Sequence, residues 1–125
     1  TRNCITIEKE GYMMKKERTL QQLQDEVDQY IGQFDEGYFG PFEILAGLME
    51  ELGEVSTEIQ HLYGTKKKKD KAVSALQEEL GDFMFHLICL ANREGIDLEQ
   101  ALNNTLDKYK TRDENRWTRK GWRHD

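Results

Sequence analysis

The chain has 125 residues, 34% charged and 37% hydrophobic, which is the size of one domain with room for a modest core. A net charge of −6 argues against a general nucleic-acid binder, and no apolar run approaches the ~20 residues of a membrane span. The two cysteines, Cys4 and Cys89, cannot form a disulfide framework, so a reducing, cytoplasmic setting is the simpler reading.

Pro41 is the only proline, and long stretches dense in Glu, Lys, Leu and Gln favour helix. Residues 1–14 show no helical period and read as a disordered leader. A single helical domain is expected over 15–117, followed by a basic tail over 118–125. The first helix is expected over 16–34, where Leu20, Leu23, Val27, Tyr30, Ile31 and Phe34 recur at three- and four-residue steps. Gly37, Gly40 and Pro41 punctuate its end. The second starts near Pro41 with a seam of Ile44, Leu48, Leu52, Val55, Ile59 and Leu62, and stops at Gly64. Next comes a polar loop that includes the lysine run 66–69, with Asp70 as N-cap of a third helix over 71–92.

The seam of the third helix is Val73, Leu76, Leu80, Phe83, Leu87 and Leu90, and Phe85, Ile88 and Ala91 add apolar surface on other sides. A helix apolar on several sides is buried on several sides, so it belongs at the middle of a bundle or in a subunit interface. Gly95 ends it. Asp97 and Gln100 form a capping pair for a fourth helix carrying Leu98, Ala101, Leu102, Leu106 and Tyr109. The expected architecture is all-α: a four-helix bundle-like protomer that assembles with itself, as a homodimer or a dimer of dimers.

One motif occurs twice. Residues 48–54 read LMEELGE and 76–82 read LQEELGD, each with a glycine inside the helix. Gly53 and Gly81 each cost about 1 kcal/mol against alanine, a cost that makes sense where a backbone or ligand comes close. At about 100° per residue, Glu51 and Glu54 fall about 60° and 120° to one side of their seam, and Glu79 and Asp82 take nearly the same angles on theirs. In an antiparallel hairpin Glu54 and Glu79 are equidistant from the turn, as are Glu51 and Asp82. The four carboxylates should converge. Such a ring takes up protons, pairs with arginines or holds a divalent cation. Oxygen-only ligands suit Mg²⁺ or Mn²⁺, and repetition with matched spacing favours the cation.

At these residues the sequence resembles the MazG-like nucleoside triphosphate pyrophosphohydrolases, an all-α superfamily that also contains dimeric dUTPases and phosphoribosyl-ATP pyrophosphohydrolase. The family motif EExxE, a spacer and ExxD is matched by Glu50-Glu51-Leu52-Gly53-Glu54, 24 residues, and Glu79-Leu80-Gly81-Asp82. The stretch FMFHLICLANREGIDLEQAL that follows is also similar, and the likeness covers residues 18–117. The resemblance implies cleavage of a nucleoside triphosphate between its α- and β-phosphates, with Glu51, Glu54, Glu79 and Asp82 holding Mg²⁺.

Glu50, next to the ligands but turned about 100° from Glu51, is the candidate base or ligand of a second ion, with a plain surface role as the alternative. Glu78 shares that ambiguity. The resemblance also implies a phosphate-contacting lysine on the last helix, matched by Lys108. Arg112 stands where many members have asparagine, and Arg116 continues one basic stripe. Tyr38, Phe39 and Trp117 are candidates to stack on a nucleobase, with core packing as the alternative. His86, one turn past Asp82, is a candidate ligand contact or a hydrogen-bonded bundle histidine. The expected function is Mg²⁺-dependent triphosphate hydrolysis, as in clearing non-standard nucleotides. The alternatives are hydrolysis of phosphoribosyl-ATP and a non-catalytic helical module that binds nucleotide or protein.

Overall fold

A computed structural model describes residues 17–65 and 75–121. Four helices follow in chain order: α1 (Leu20–Gly32), α2 (Pro41–Tyr63), α3 (Leu76–Arg93) and α4 (Leu98–Arg112). The described residues contain no strand. The leader 1–14, the lysine run, the cap expected at Asp70 and the seam residue Val73 lie outside them, as do the last four residues of the basic tail.

The helix boundaries follow local chemistry. Thr19 caps α1 in a reciprocal box, its hydroxyl accepting from the Gln22 N–H while the Gln22 side chain accepts from the Thr19 N–H. The helix therefore runs from the first seam residue, Leu20, to Gly32, and not over the expected 16–34. Pro41 sits in the first turn of α2, where a missing N–H costs nothing. Gly64 follows Tyr63 with extended backbone, and its N–H bonds the Gln60 carbonyl. Gly95, at φ +71°, turns the chain after α3 in the left-handed conformation that glycine adopts without penalty. The Asp97 side chain accepts from the Gln100 N–H and opens α4.

α3 lies at the centre, packed extensively on α2 and also on α1, whereas α4 packs chiefly on α1. Ile44, Leu48 and Cys89 form the buried centre, with Val27, Ile31, Tyr38, Phe83, Leu87 and Leu90 packed around them. A polar network ties α1 to the far end of α3. Gln24 is 3% exposed, and its amide donates to Asn92 Oδ1 and the Ile96 carbonyl while accepting from the Leu98 N–H at 2.7 Å. Asn92 Nδ2 donates to the Gln24 carbonyl and to the Tyr38 hydroxyl, which donates to Asp28 at 2.7 Å. Burial and the Asp28 hydrogen bond push the Tyr38 phenol up to about 12.

The seams are only half filled. On α2, Ile44, Leu48 and Val55 are buried, but Leu52, Ile59 and Leu62 are about half exposed, and Phe42, Met49 and Tyr63 are largely open. Leu80 and Met84 of α3 are also open, and α4 has no buried residue. One chain therefore leaves a wide apolar face on α2 and another on α4.

Candidate active site

The antiparallel register can be read from contacts at both ends of the α2–α3 pair. Near the start of α2, an added Cβ at Gly47 would lie 2.6 Å from His86 Cδ2. Near its end, Glu58 Oε1 accepts from the Ala75 N–H at 3.1 Å. Both pairs are equidistant from the same turn midpoint as Glu54 with Glu79 and Glu51 with Asp82. The acid repeat lies between these two contacts and must follow their register.

Glu51, Glu79 and Asp82 each offer a carboxylate oxygen within 4.8 Å of the other two. Glu51 and Glu79 are partly buried and Asp82 is exposed. Glu54 lies outside that trio but close enough to act on it. Desolvation, then the charges of Glu54, Asp82, Glu51 and Glu78, hold the Glu79 carboxyl above the usual carboxylate range. The donor set is oxygen only, which suits a hard divalent ion and no thiophilic one. Glu58 and His61 have Glu-x-x-His spacing, but Glu58 is engaged by Ala75, and a di-iron carboxylate bundle needs two such motifs.

Beside the acids lies an open cavity of about 870 Å³. Tyr30 and Phe34 of α1, the Tyr38–Phe39 loop and Phe85 of α3 supply its aromatic wall, and Glu50 and His86 its edge towards the acid cluster. Tyr30 stands edge-on to both Phe34 and Phe85, with ring centroids 5.6 Å and 6.3 Å apart. His86 lies against Gly47, and its Nδ1 is 3.0 Å from the Asp82 carbonyl. A carbonyl only accepts, so Nδ1 carries the proton of the neutral ring and Nε2 is left as an acceptor.

The expected residues divide in two. Glu51, Glu79 and Asp82 come together, with Glu54 adjoining, and Tyr38, Phe39, His86 and Glu50 line the neighbouring cavity. Lys108, Arg112, Arg116 and Trp117 line no part of it. Arg112 forks onto its neighbour Asp113 at 2.8 and 3.0 Å, and Arg116 stacks over Trp117. Gly53 and Gly81 have nothing within 4 Å of an added Cβ, so no close approach within the described chain explains either glycine. The close approach is at Gly47, outside the repeat. Tyr30 and Phe34 fall in the apolar seam expected of the first helix, yet they are half exposed and line the cavity. The outward-leaning i, i+4 aromatic pair next to the Tyr38–Phe39 loop was the available signal.

An all-α hairpin thus sets paired acids beside an aromatic-walled cavity, an arrangement with the donors for a hard cation and ring surface for a flat ligand. Residues 39–117 match the model of the MazG nucleotide pyrophosphohydrolase domain, and the chain belongs to that family. It is 50% identical over 105 residues to YpjD of Bacillus subtilis (strain 168), covering 83% of this chain and 95% of that protein. The crystal structure of a Bacillus-conserved MazG protein, described as a nucleotide pyrophosphohydrolase, superposes with a TM-score of 0.69 at 45% identity, covering 82% of this chain and all of that one. A Mus musculus dCTP pyrophosphatase 1 is 29% identical over 106 residues, which span 81% of this chain and 62% of the mouse protein. The protein is thus a hydrolase of nucleotide pyrophosphate bonds.

Proposed function

We propose that this chain hydrolyses nucleoside triphosphates between the α- and β-phosphates, releasing a monophosphate and pyrophosphate, with Mg²⁺ as its ion and Mn²⁺ as a substitute. The observation that carries this reading is the trio Glu51, Glu79 and Asp82 within 4.8 Å, set beside an aromatic-walled cavity. Desolvation, then the neighbouring like charges, raise the Glu79 carboxyl, and a cation bound among these acids would favour its ionised form. Glu51, Glu79 and Asp82 would hold the ion, with Glu54 as a fourth donor. When bound, a divalent ion neutralises phosphate oxygens and makes water a better nucleophile.

The chain's own groups do the rest. Glu50 precedes the ion-holding Glu51 in the chain and lines the cavity, and its carboxylate would take the proton of the attacking water. The Tyr38–Phe39 loop, with Tyr30 and Phe34, offers ring faces for a base. The free Nε2 of His86 accepts from an exocyclic amino group, which favours cytosine and adenine over uracil and thymine. Deoxycytidine triphosphate therefore joins the modified deoxynucleotides as a first substrate to test, in keeping with a role in clearing the nucleotide pool.

A self-assembled form belongs to the same reading. Phe42 is 85% exposed and Tyr63 82%, and α4 buries nothing in the single chain. A second copy would cover these faces, and it is the natural source of Lys108, Arg112 and Arg116 beside the triphosphate. The test is pyrophosphate release from a panel of common, modified and phosphoribosyl-ATP substrates with Mg²⁺ or Mn²⁺. Turnover of at least one, lost in Glu54→Gln and Asp82→Asn, is expected. Binding without product would instead favour a non-catalytic module.

A further inference from the structure

The acid cluster depends on where α3 begins. Its N-cap is Ala75, which has no side chain to accept a hydrogen bond. Glu58, on the neighbouring helix, plays the other half of a capping box, the part a residue one turn into the helix usually takes: its Oε1 accepts from the N-cap N–H, that of Ala75, at 3.1 Å. Glu58 is only 7% exposed, an unusual position for a carboxylate unless it is paired. Its Oε2 lies 3.7 Å from His61 Nδ1, a buried atom with no hydrogen-bond partner.

The Ala75 peptide also works in the other direction. Its carbonyl accepts the N–H of Glu79 at 2.9 Å. Two hydrogen bonds across one residue thus connect Glu58 to the backbone of Glu79, whose carboxylate belongs to the acid trio. The connection also fixes register, because Glu58 and Ala75 share the row spacing of the acid pairs. A slip of one residue would turn α3 by about 100° and carry Glu79 and Asp82 off the shared face.

We propose that Glu58 is a positioning residue: it caps α3 from α2 and thereby holds Glu79 and Asp82 in the arrangement that binds the cation. This rests on the reading of the acids as an ion site. First turns fray when their cap is lost, and Glu79 makes the first backbone bond of α3. Only the fraction of molecules with that turn formed would then bind, and apparent affinity falls by that fraction.

The test is a Mn²⁺ titration of the full chain, read from the free-ion spin resonance signal, with amide exchange measured in parallel. Glu58→Ala should weaken Mn²⁺ binding by about two- to fivefold, fivefold being the ceiling that loss of one cap of about 1 kcal/mol sets on the fraction of molecules with the turn formed. Glu58→Gln keeps the accepting oxygen and should stay within about twofold of the native chain. Ala75→Asp, added to Glu58→Ala, supplies a local cap and should restore binding to within about twofold. Native-like binding by Glu58→Ala overturns the proposal. So does a loss that Ala75→Asp leaves unrepaired while the melting temperature recovers. If Glu58→Ala does not fold, exchange on the native chain decides. Protection of the Ala75 and Glu79 amides comparable to the middle of α3 supports the clamp, and free-peptide exchange overturns it. A native chain that binds no Mn²⁺ defeats the hydrolase reading, and the same exchange data then judge the clamp.

Discussion

Three helical glycines respond differently to alanine, and the difference follows from what surrounds each. An alanine Cβ at position 47 would meet His86 Cδ2 at 2.6 Å and Nε2 at 3.0 Å, so the ring must move. Overpacking of this kind costs roughly 1–3 kcal/mol, and a ring that swings away also loses its hydrogen bond to the Asp82 carbonyl, about 1 kcal/mol more. Alanine returns about 1 kcal/mol of helix propensity. The net expectation for Gly47→Ala is destabilisation by about 1–3 kcal/mol. At Gly53 and Gly81 nothing lies within 4 Å, so alanine should stabilise the single chain by up to about 1 kcal/mol at each. Urea unfolding at one fixed protein concentration measures all three. Gly47→Ala should also raise KM, because the displaced imidazole moves into the cavity wall. A Gly47→Ala chain at least as stable as the native one, with KM unchanged, would refute the contact. A loss of stability at Gly53 or Gly81 would mean that a second copy packs there.

Three further outcomes are expected. With divalent ions removed, the raised Glu79 carboxyl contributes stability below the ordinary carboxylate range, and that contribution is lost as pH rises through its raised value. Melting temperatures in chelator should fall across that window, and the part of the fall absent from Glu79→Gln belongs to Glu79; an identical slope in the variant would remove the claim. Absorbance titration should show one of the five tyrosines ionising near pH 12, a step missing from Tyr38→Phe. Asn92→Ala leaves one N–H of the buried Gln24 amide without its acceptor, takes a donor from the Gln24 carbonyl and removes a partner of the Tyr38 hydroxyl, so unfolding should become easier by about 2–3 kcal/mol. A change below about 0.5 kcal/mol would show that the network adds little.

Much of this molecule is legible along the chain because helices write their own punctuation. Pro41, Gly64, Gly95 and Asp97 each mark a boundary that the structure uses. The acid repeat is legible because matched spacing about a turn is a statement about antiparallel neighbours. Other features depend on what the chain packs against. Gln24 lies in a polar stretch of the sequence, yet it is buried because Asn92 at the end of α3, Ile96 in the loop and Leu98 at the start of α4 satisfy it. Glu58 falls beside the expected seam while Leu52 and Ile59, inside it, stay open. The apolar period of α2 is broad enough for two faces, and sequence cannot say which one the chain's own core takes. The basic stripe of α4 is legible as charge, but its distance from the cavity is set by a helix that packs chiefly on α1.

Titration of the native chain with Mn²⁺ in the absence of nucleotide bears most directly on the acid cluster as an ion site. Saturable binding that Glu51→Gln and Asp82→Asn each weaken roughly tenfold or more is the predicted result. Binding of equal strength in the native chain and both variants, or none in any of them, would contradict it.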